Sequence, residues 1–377
     1  MSVSIPFCKT WTALLETEYV VQVLNGESAT DGQFAELCSQ LLEERLGVGR
    51  VLLAPSCTSA LELAALLCEL GPGDEVVMPS FTFPATANSV ARTGATPVFV
   101  DVRADTMNID EQLIPAALTE RTKAIFVMHY GGVVCEMDAI NDNAAQRGLV
   151  VVEDAAQGID ASYHGRAAGS LAPLAAFSFH HTKSVTCGEG GALCVNDTAL
   201  LERAGTIREH GTNRKQFLRG AVDKYTWVDT GTSGLLNELA CAQLLAQLES
   251  LDEITTRRRA IWDRYAAGLA LLEEAGVARS GRIPDGCQGN GHLFYLLVQD
   301  SDTRGRLIAY LRERGIAAVF HYVPLHSSPQ GRRVGRVSGE LAVTETLSER
   351  LVRLPVFHDL TVEDQQRVID EVLGFFG

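Results

Sequence analysis

Between about residue 50 and residue 195, short apolar runs alternate with helix-forming segments, and this alternation limits the fold more than any other feature. The runs are Val51–Ala54, Val76–Pro79, Thr96–Val102, Lys123–His129, Val150–Asp154 and a stretch beginning at Ala175. Apolar and often β-branched, they read as strands. Helical segments such as Ala60–Leu70 lie between them. Strands regularly separated by helices imply a mainly parallel sheet with covering helices. In such sheets ligands bind outside the carboxyl ends of the strands, so the residues following each run are the candidates for chemistry.

Two strand ends carry the strongest signals. Val150-Val151-Val152-Glu153-Asp154-Ala155-Ala156-Gln157-Gly158 is an apolar strand ending in a carboxylate. The stretch Ala175–Leu193, AAFSFHHTKSVTCGEGGAL, runs from a strand into Lys183 and then a turn, Gly188-Glu189-Gly190-Gly191. A lone lysine is most often a surface residue, because burying an unpaired ammonium is costly. A carboxylate and a lysine on neighbouring strand ends fit pyridoxal phosphate (PLP), which needs both. The lysine forms the Schiff base and the acid keeps the pyridine nitrogen protonated.

Other stretches add weaker candidates. Val51–Ala54 feeds Pro55-Ser56-Cys57-Thr58-Ser59 and then a helix. Free N–H groups and hydroxyls at a helix start suit a phosphate, although Ser and Thr are also ordinary helix caps. Phe81 and Phe83 follow a strand end, where a ring can stack on a pyridine or simply pack in the core. From Leu200 to Asp223 the chain reads as helical and basic, with Arg208, His210, Arg214, Lys215, Arg219 and Lys224. That cluster suits a diphosphate or a solvated helix face. Leu235–Leu251 reads as an amphipathic helix continuing towards Leu271 and bridging to a second domain. Residues near 280–377 read as an α+β unit. It has strands at His292–Val298 and Ala317–Phe320, helices at Thr303–Arg314 and Val362–Phe375, and the segment His321-Tyr322-Val323-Pro324-Leu325-His326. The expected domains are 1–250, including an N-terminal arm around Ile5-Pro6-Phe7, and 251–377. The arm packs on this chain or on a partner subunit.

Bulk properties exclude several classes. The 377 residues carry a net charge of −15, which argues against nucleic acid or an anionic membrane as partner. No apolar run approaches the roughly 18 residues of a membrane span, and no signal peptide is read. Nine scattered cysteines without a CxxC pair indicate neither a disulfide framework nor a metal site. A reduced, cytoplasmic protein is expected. No GxGxxG follows the first strand, which removes a nicotinamide enzyme.

Six stretches in order resemble the DegT/DnrJ/StrS family of PLP-dependent sugar aminotransferases over nearly the whole chain. They are PSCTSALELAALL (55–67), PSFTFPATAN (79–88), VVEDAAQG (151–158), FSFHHTKSVTCGEGGAL (177–193), REHGTNRKQF (208–217) and HYVPLH (321–326). The regions of Thr182-Lys183, REHGTNR and DKYTW (223–227) resemble most a subgroup that aminates TDP-4-oxo-6-deoxy-D-glucose. The resemblance implies the aspartate-aminotransferase-like fold type I. That fold has a large domain with a mainly parallel sheet of the seven-stranded type and a smaller C-terminal α+β domain. It makes Lys183 the cofactor lysine, Asp154 the partner of the pyridine nitrogen and Gln157 a neighbour of the ring hydroxyl. Phe83 would stack on the ring, and Cys57, Thr58 and Ser178 would hold the phosphate. Arg208, His210, Arg214, Arg219, His321, Tyr322 and His326 become candidates for substrate contacts. Many members have Gly-x-Asn where this chain has Gly231-Thr232-Ser233; Ser233 is then the shorter group facing the partner subunit's cofactor. His180 and His181 flank a lysine that some relatives, dehydratases, replace by histidine, so the lysine favours transamination. The implied partners are a nucleotide sugar and an amino-acid donor, glutamate, in a homodimer with active sites at the subunit interface. Amination at C3, or of another keto-sugar or keto-cyclitol, stays open, as does a non-catalytic PLP-binding regulator.

Overall fold

Seven strands build the central sheet: β1 Val51–Ala54, β2 Glu75–Pro79, β3 Thr96–Val100, β4 Thr122–Met128, β5 Val150–Asp154, β6 Leu174–Ser178 and β7 Gly191–Val195. The structure, a computed structural model, describes residues 4–26 and 31–377. The sheet order is β1-β7-β6-β5-β4-β2-β3, and a two-residue strand, Arg336–Val337, pairs beside β3 as an eighth member. Strand β7 is antiparallel to both neighbours; the other pairings are parallel. The carboxyl ends of β1, β2, β4, β5 and β6 therefore share one edge with the start of β7.

Every residue of β1, β2, β6 and β7 is buried, as expected for strands covered on both faces. One face packs Leu52, Met78, Phe126 and Val152 against helices Cys57–Leu67 and Pro84–Ala91. On the opposite face Ile125, Val127 and Val151 meet helix Met137–Ala145. Further along that face, Leu53 and Phe177 meet helices Gln33–Leu46 and Glu238–Glu249.

A second core surrounds a three-stranded antiparallel sheet, Ala278–Ser280, Phe294–Val298 and Leu351–Leu354. It packs helices Leu251–Gly268, Ser301–Glu313 and Val362–Phe376. Ile5 of the N-terminal arm belongs to this core, not to the large sheet, and Trp11 stacks on His358 at 4.3 Å. Conversely, Leu325 and Leu341 join the large-sheet core, so the two cores do not divide cleanly near residue 250.

Three expected elements differ. The long helix after Leu235 is two helices, because Ser250 leaves helical geometry at ψ 9° and its hydroxyl bonds back to the Ala246 carbonyl at 3.1 Å. Ala317–Phe320 is not a ladder strand. Its backbone is shared between Ile5, which pairs with Ile316, and Arg353, which pairs with Val319. The basic helix from Leu200 stops at Arg208 and resumes only over Arg214–Leu218. At the break Gly211 has φ +71°, and a Cβ there would lie 1.7 Å from the Asp229 carbonyl oxygen, so the turn admits only glycine.

Candidate active site

Strand β5 delivers Asp154 to the functional edge with 3% of its surface exposed. Its Oδ2 accepts the Thr86 hydroxyl at 2.6 Å and its Oδ1 accepts the Ala156 N–H at 3.2 Å. Thr86 is itself held by Thr82, 2.9 Å between hydroxyls. Burial pushes the Asp154 carboxyl above its ordinary pKa; the Thr86 and Ala156 hydrogen bonds and the Lys183 charge pull the other way. Among the described residues no cationic side chain forms an ion pair with it. A buried carboxylate without a cation is costly, and a protonated pyridine nitrogen is the kind of cation that would compensate it. The donor set fits PLP.

Strands β6 and β7 are joined by the loop that carries Lys183. Backbone bonds Phe179 N–H to Gly190 O (2.8 Å), His181 N–H to Gly188 O (2.9 Å) and Lys183 N–H to His180 O (2.8 Å) fix its path. The Thr186 hydroxyl bridges Phe179 O and Gly188 N–H. Lys183 is half-buried. Burial pushes its ammonium pKa down, partly opposed by Cys57 and Asp154, so more of the amine is neutral and nucleophilic than in a free lysine.

The phosphate candidates lie at the neighbouring strand ends. Cys57 and Thr58 open helix Cys57–Leu67, which Ser56 caps by accepting the Ser59 N–H at 3.1 Å. Gly191 starts β7 directly against this turn; a Cβ there would come within 2.4 Å of the Cys57 nitrogen. Only glycine allows strand and helix start to close together. Burial holds the Cys57 thiol well above its ordinary pKa, hence protonated. Ser178 ends β6 and is buried. Phe83 is 56% exposed, which leaves a ring face free at the rim, 6.2 Å from the Tyr322 ring. Gln157 is locked in place, accepting the Gly131 N–H at 2.7 Å and donating to the Tyr322 hydroxyl at 3.1 Å.

The substrate candidates separate. Tyr322 reaches the site through Gln157, and His321 bonds the Tyr130 hydroxyl at 3.0 Å. Burial and the nearby Arg353 and Lys183 charges keep His321 neutral. Two candidates are already engaged within the chain. Arg208 is 3% exposed and donates to the Leu53 and Gly234 carbonyls and to Asp31, so it ties the sheet edge to neighbouring segments and offers no free face. Both ring nitrogens of His326 are occupied, Nδ1 by Ser80 at 2.7 Å and Nε2 by Glu345 at 3.1 Å, so it anchors its segment. His210, Arg214, Arg219 and Ser233 stand exposed on the 208–234 segment, with no side-chain hydrogen bond joining them to the Lys183 cluster.

Several residues of the site escape the sequence reading. Thr86 looks like an ordinary helix residue until the fold sets it against Asp154. Glu153 is fully buried and accepts four donors, from Gly169, Leu171, Ala172 and His129, which clamps β4 and β5 to the segment before β6. Its only sequence signal is the period of two, which turns it away from Asp154. Asn290 donates to the Gln157 and Ile159 carbonyls, both at 2.7 Å, and so ties the segment that leads into strand Phe294–Val298 to the β5 loop.

A parallel sheet with one antiparallel strand, and a lysine loop beside a buried carboxylate at its carboxyl edge, is the arrangement of a fold-type-I PLP enzyme. The model of the DegT/DnrJ/EryC1/StrS aminotransferase family matches residues 13–373. A relative named pleiotropic regulatory protein, from Geobacillus stearothermophilus, is 37% identical over 321 residues, covering 85% of this chain and 83% of its own. The crystal structure of the aminotransferase TlmJ from Streptoalloteichus hindustanus superposes with TM-score 0.90 at 30% identity, covering 100% of this chain and 99% of that one. The putative sugar aminotransferase Spr1654 from Streptococcus pneumoniae, in its PMP form, gives TM-score 0.91 at 26% identity over 99% of each chain. The chain belongs to the DegT/DnrJ/EryC1/StrS family of PLP-dependent sugar aminotransferases.

Proposed function

We propose that this enzyme moves the amino group of L-glutamate to C4 of TDP-4-oxo-6-deoxy-D-glucose. The juxtaposition of Lys183 with the buried Asp154, which no ion pair matches, carries the amino-transfer chemistry. The likeness of the Thr182-Lys183, Arg208–Arg214 and Asp223–Trp227 stretches to the TDP-4-oxo-6-deoxy-D-glucose transaminases supports the choice of sugar.

PLP, when bound, supplies an electron sink that lets a C–H bond next to the substrate nitrogen break. Lys183 would hold the cofactor and, once freed, would move the proton; burial lowers its pKa, so more of the amine is neutral than in a free lysine. Asp154 would hold a proton on the ring nitrogen, and Thr86 fixes that carboxylate in place. Gln157 and Tyr322 would border the ring, while Cys57 and Thr58 at the start of helix Cys57–Leu67, with Ser178 at the end of β6, would hold the phosphate. The reading includes a homodimer: Leu218, Tyr225, Trp227 and Val228 are exposed on the 208–234 segment, an apolar surface that a second copy would cover.

The test is an absorbance titration of PLP-loaded protein, first with glutamate, then with either the 4-oxo or the 3-oxo sugar nucleotide. Glutamate should bleach the cofactor band and the 4-oxo sugar should restore it. Restoration by the 3-oxo sugar alone would refute amination at C4. Light scattering showing a monomer at micromolar concentration would refute the dimer.

A further inference from the structure

Arg353 lies on the strand Leu351–Leu354, paired with Tyr295 on one side and Val319 on the other. Backbone bonds of 3.2 and 2.8 Å to Val319 fix its main chain. Just beyond Val319 the chain reaches His321 and Tyr322, whose side chains bond Tyr130 and Gln157. The arginine is thus paired with the segment that carries His321 and Tyr322 to the Gln157 side of the site. Its guanidinium lies over the Phe7 ring at 4.6 Å, and one N–H donates to the Phe320 carbonyl at 3.2 Å. The Nε–H is shut off from solvent and has no acceptor. Among the described residues no carboxylate pairs with Arg353, whereas Arg121 and Arg336 both pair with Glu75.

A guanidinium donor shut off without an acceptor costs free energy. A carboxylate matches its planar fork with two parallel hydrogen bonds. The surroundings favour an anion. After burial, the charges of Lys183, Arg258 and Arg353 are what keep His292 neutral, and Arg353 contributes to lowering the Lys183 pKa. A cationic pocket wall in a chain of net charge −15 is a local excess that an anionic ligand would neutralise.

We propose that Arg353 binds a carboxylate of the amino-acid donor and so discriminates donor from keto-sugar. This assignment rests on the amino-transfer reading above. A nucleotide sugar carries phosphates but no carboxylate, so the two half-reactions should respond differently to loss of the guanidinium.

The test uses PLP-loaded wild type, Arg353→Gln and Arg353→Lys, with circular dichroism and PLP capture confirming intact protein. Calorimetry with glutarate, a dicarboxylate without an amine, reads binding without turnover. Single-turnover absorbance reads the glutamate and keto-sugar half-reactions. Arg353→Gln should weaken glutarate binding and raise the half-saturating glutamate concentration by about 10²-fold, the usual cost of truncating one partner of a desolvated charge pair. Arg353→Lys should recover only part of this, and the keto-sugar dependence should stay within about twofold of wild type. Unchanged glutarate and glutamate responses in Arg353→Gln would overturn the assignment. A loss confined to the keto-sugar would also overturn it, giving the guanidinium to the diphosphate. If wild type itself gives no half-reaction with any amino acid, the functional reading fails first, and the arginine assignment with it.

Discussion

Two carboxylates at opposite ends of the same sheet are almost equally buried, 2% exposed for Glu75 and 3% for Asp154, yet their protonation is pushed in opposite directions. Glu75 opens β2 at the amino edge and is surrounded by its own chain: Arg336 at 3.0 Å, Arg121 and the Thr119 hydroxyl at 2.8 Å. Hydrogen bonds from Arg336 hold its carboxyl at about 2. Asp154 closes β5 at the carboxyl edge with three neutral donors, the Thr86 hydroxyl, the Ala156 N–H and the Cys57 thiol, and no ion pair, and burial raises its pKa. A carboxylate that the fold satisfies completely is structural. One that the fold buries without an ion pair fits the proposed role of matching a charge that arrives with a ligand.

Substitutions can break this contrast. Asp154→Asn should lower amino-transfer by about 10²-fold or more, the scale of losing one preorganised electrostatic group, without lowering the melting temperature of the PLP-free protein. The sign follows from its raised pKa. The folded state binds the proton more tightly than the unfolded chain, so the contribution of Asp154 to stability falls as pH rises from the ordinary carboxylate range through the folded value. Above that window Asp154→Asn should match or exceed wild type in thermal stability; a large destabilisation would contradict a ligand-directed role.

Glu75→Gln should do the reverse. Stability should drop by about 2 kcal/mol, the scale of losing charge-assisted hydrogen bonds to guanidinium groups that water can still reach, with turnover per folded molecule unchanged. In wild type the Glu75 contribution is present above the ordinary glutamate value of 4.5 and is lost as pH falls towards about 2. Urea titrations at several pH values read both windows.

Thr86→Val sharpens the contrast on the active-site side. It removes the 2.6 Å bond to Asp154 at nearly constant volume and should weaken PLP by about tenfold. Arg219→Ala is the smallest change. The residue is exposed and forms no ion pair among the described residues, so stability should stay within about 0.5 kcal/mol. A loss of dimer in this variant would place it in an interface.

The sequence marks Lys183, Asp154 and Gln157 as candidates because strand ends are local features: an apolar run, then the residue that stops it. It also carried the parallel sheet, since alternating strands and helices have few other solutions. What stayed hidden depends on long-range contact. Glu75 and Arg336 are 261 residues apart, and nothing local marks Thr86 as the partner of Asp154. Arg208 and His326 look in sequence like free cationic or polar groups. The fold spends the first on Asp31 and two carbonyls, and the second on Ser80 and Glu345. Residue type announced a charge in each case, but only packing decided whether that charge was already matched.

The central claim is that Lys183 holds the cofactor opposite Asp154, and the chain offers only four other lysines: Lys9, Lys123, Lys215 and Lys224. Borohydride reduction of the PLP-loaded protein, followed by digestion and mass spectrometry, locates the phosphopyridoxyl group directly. A single labelled peptide containing Lys183, absent from Lys183→Ala, is the predicted result. Label on any other lysine, or equal label in Lys183→Ala, would contradict the account.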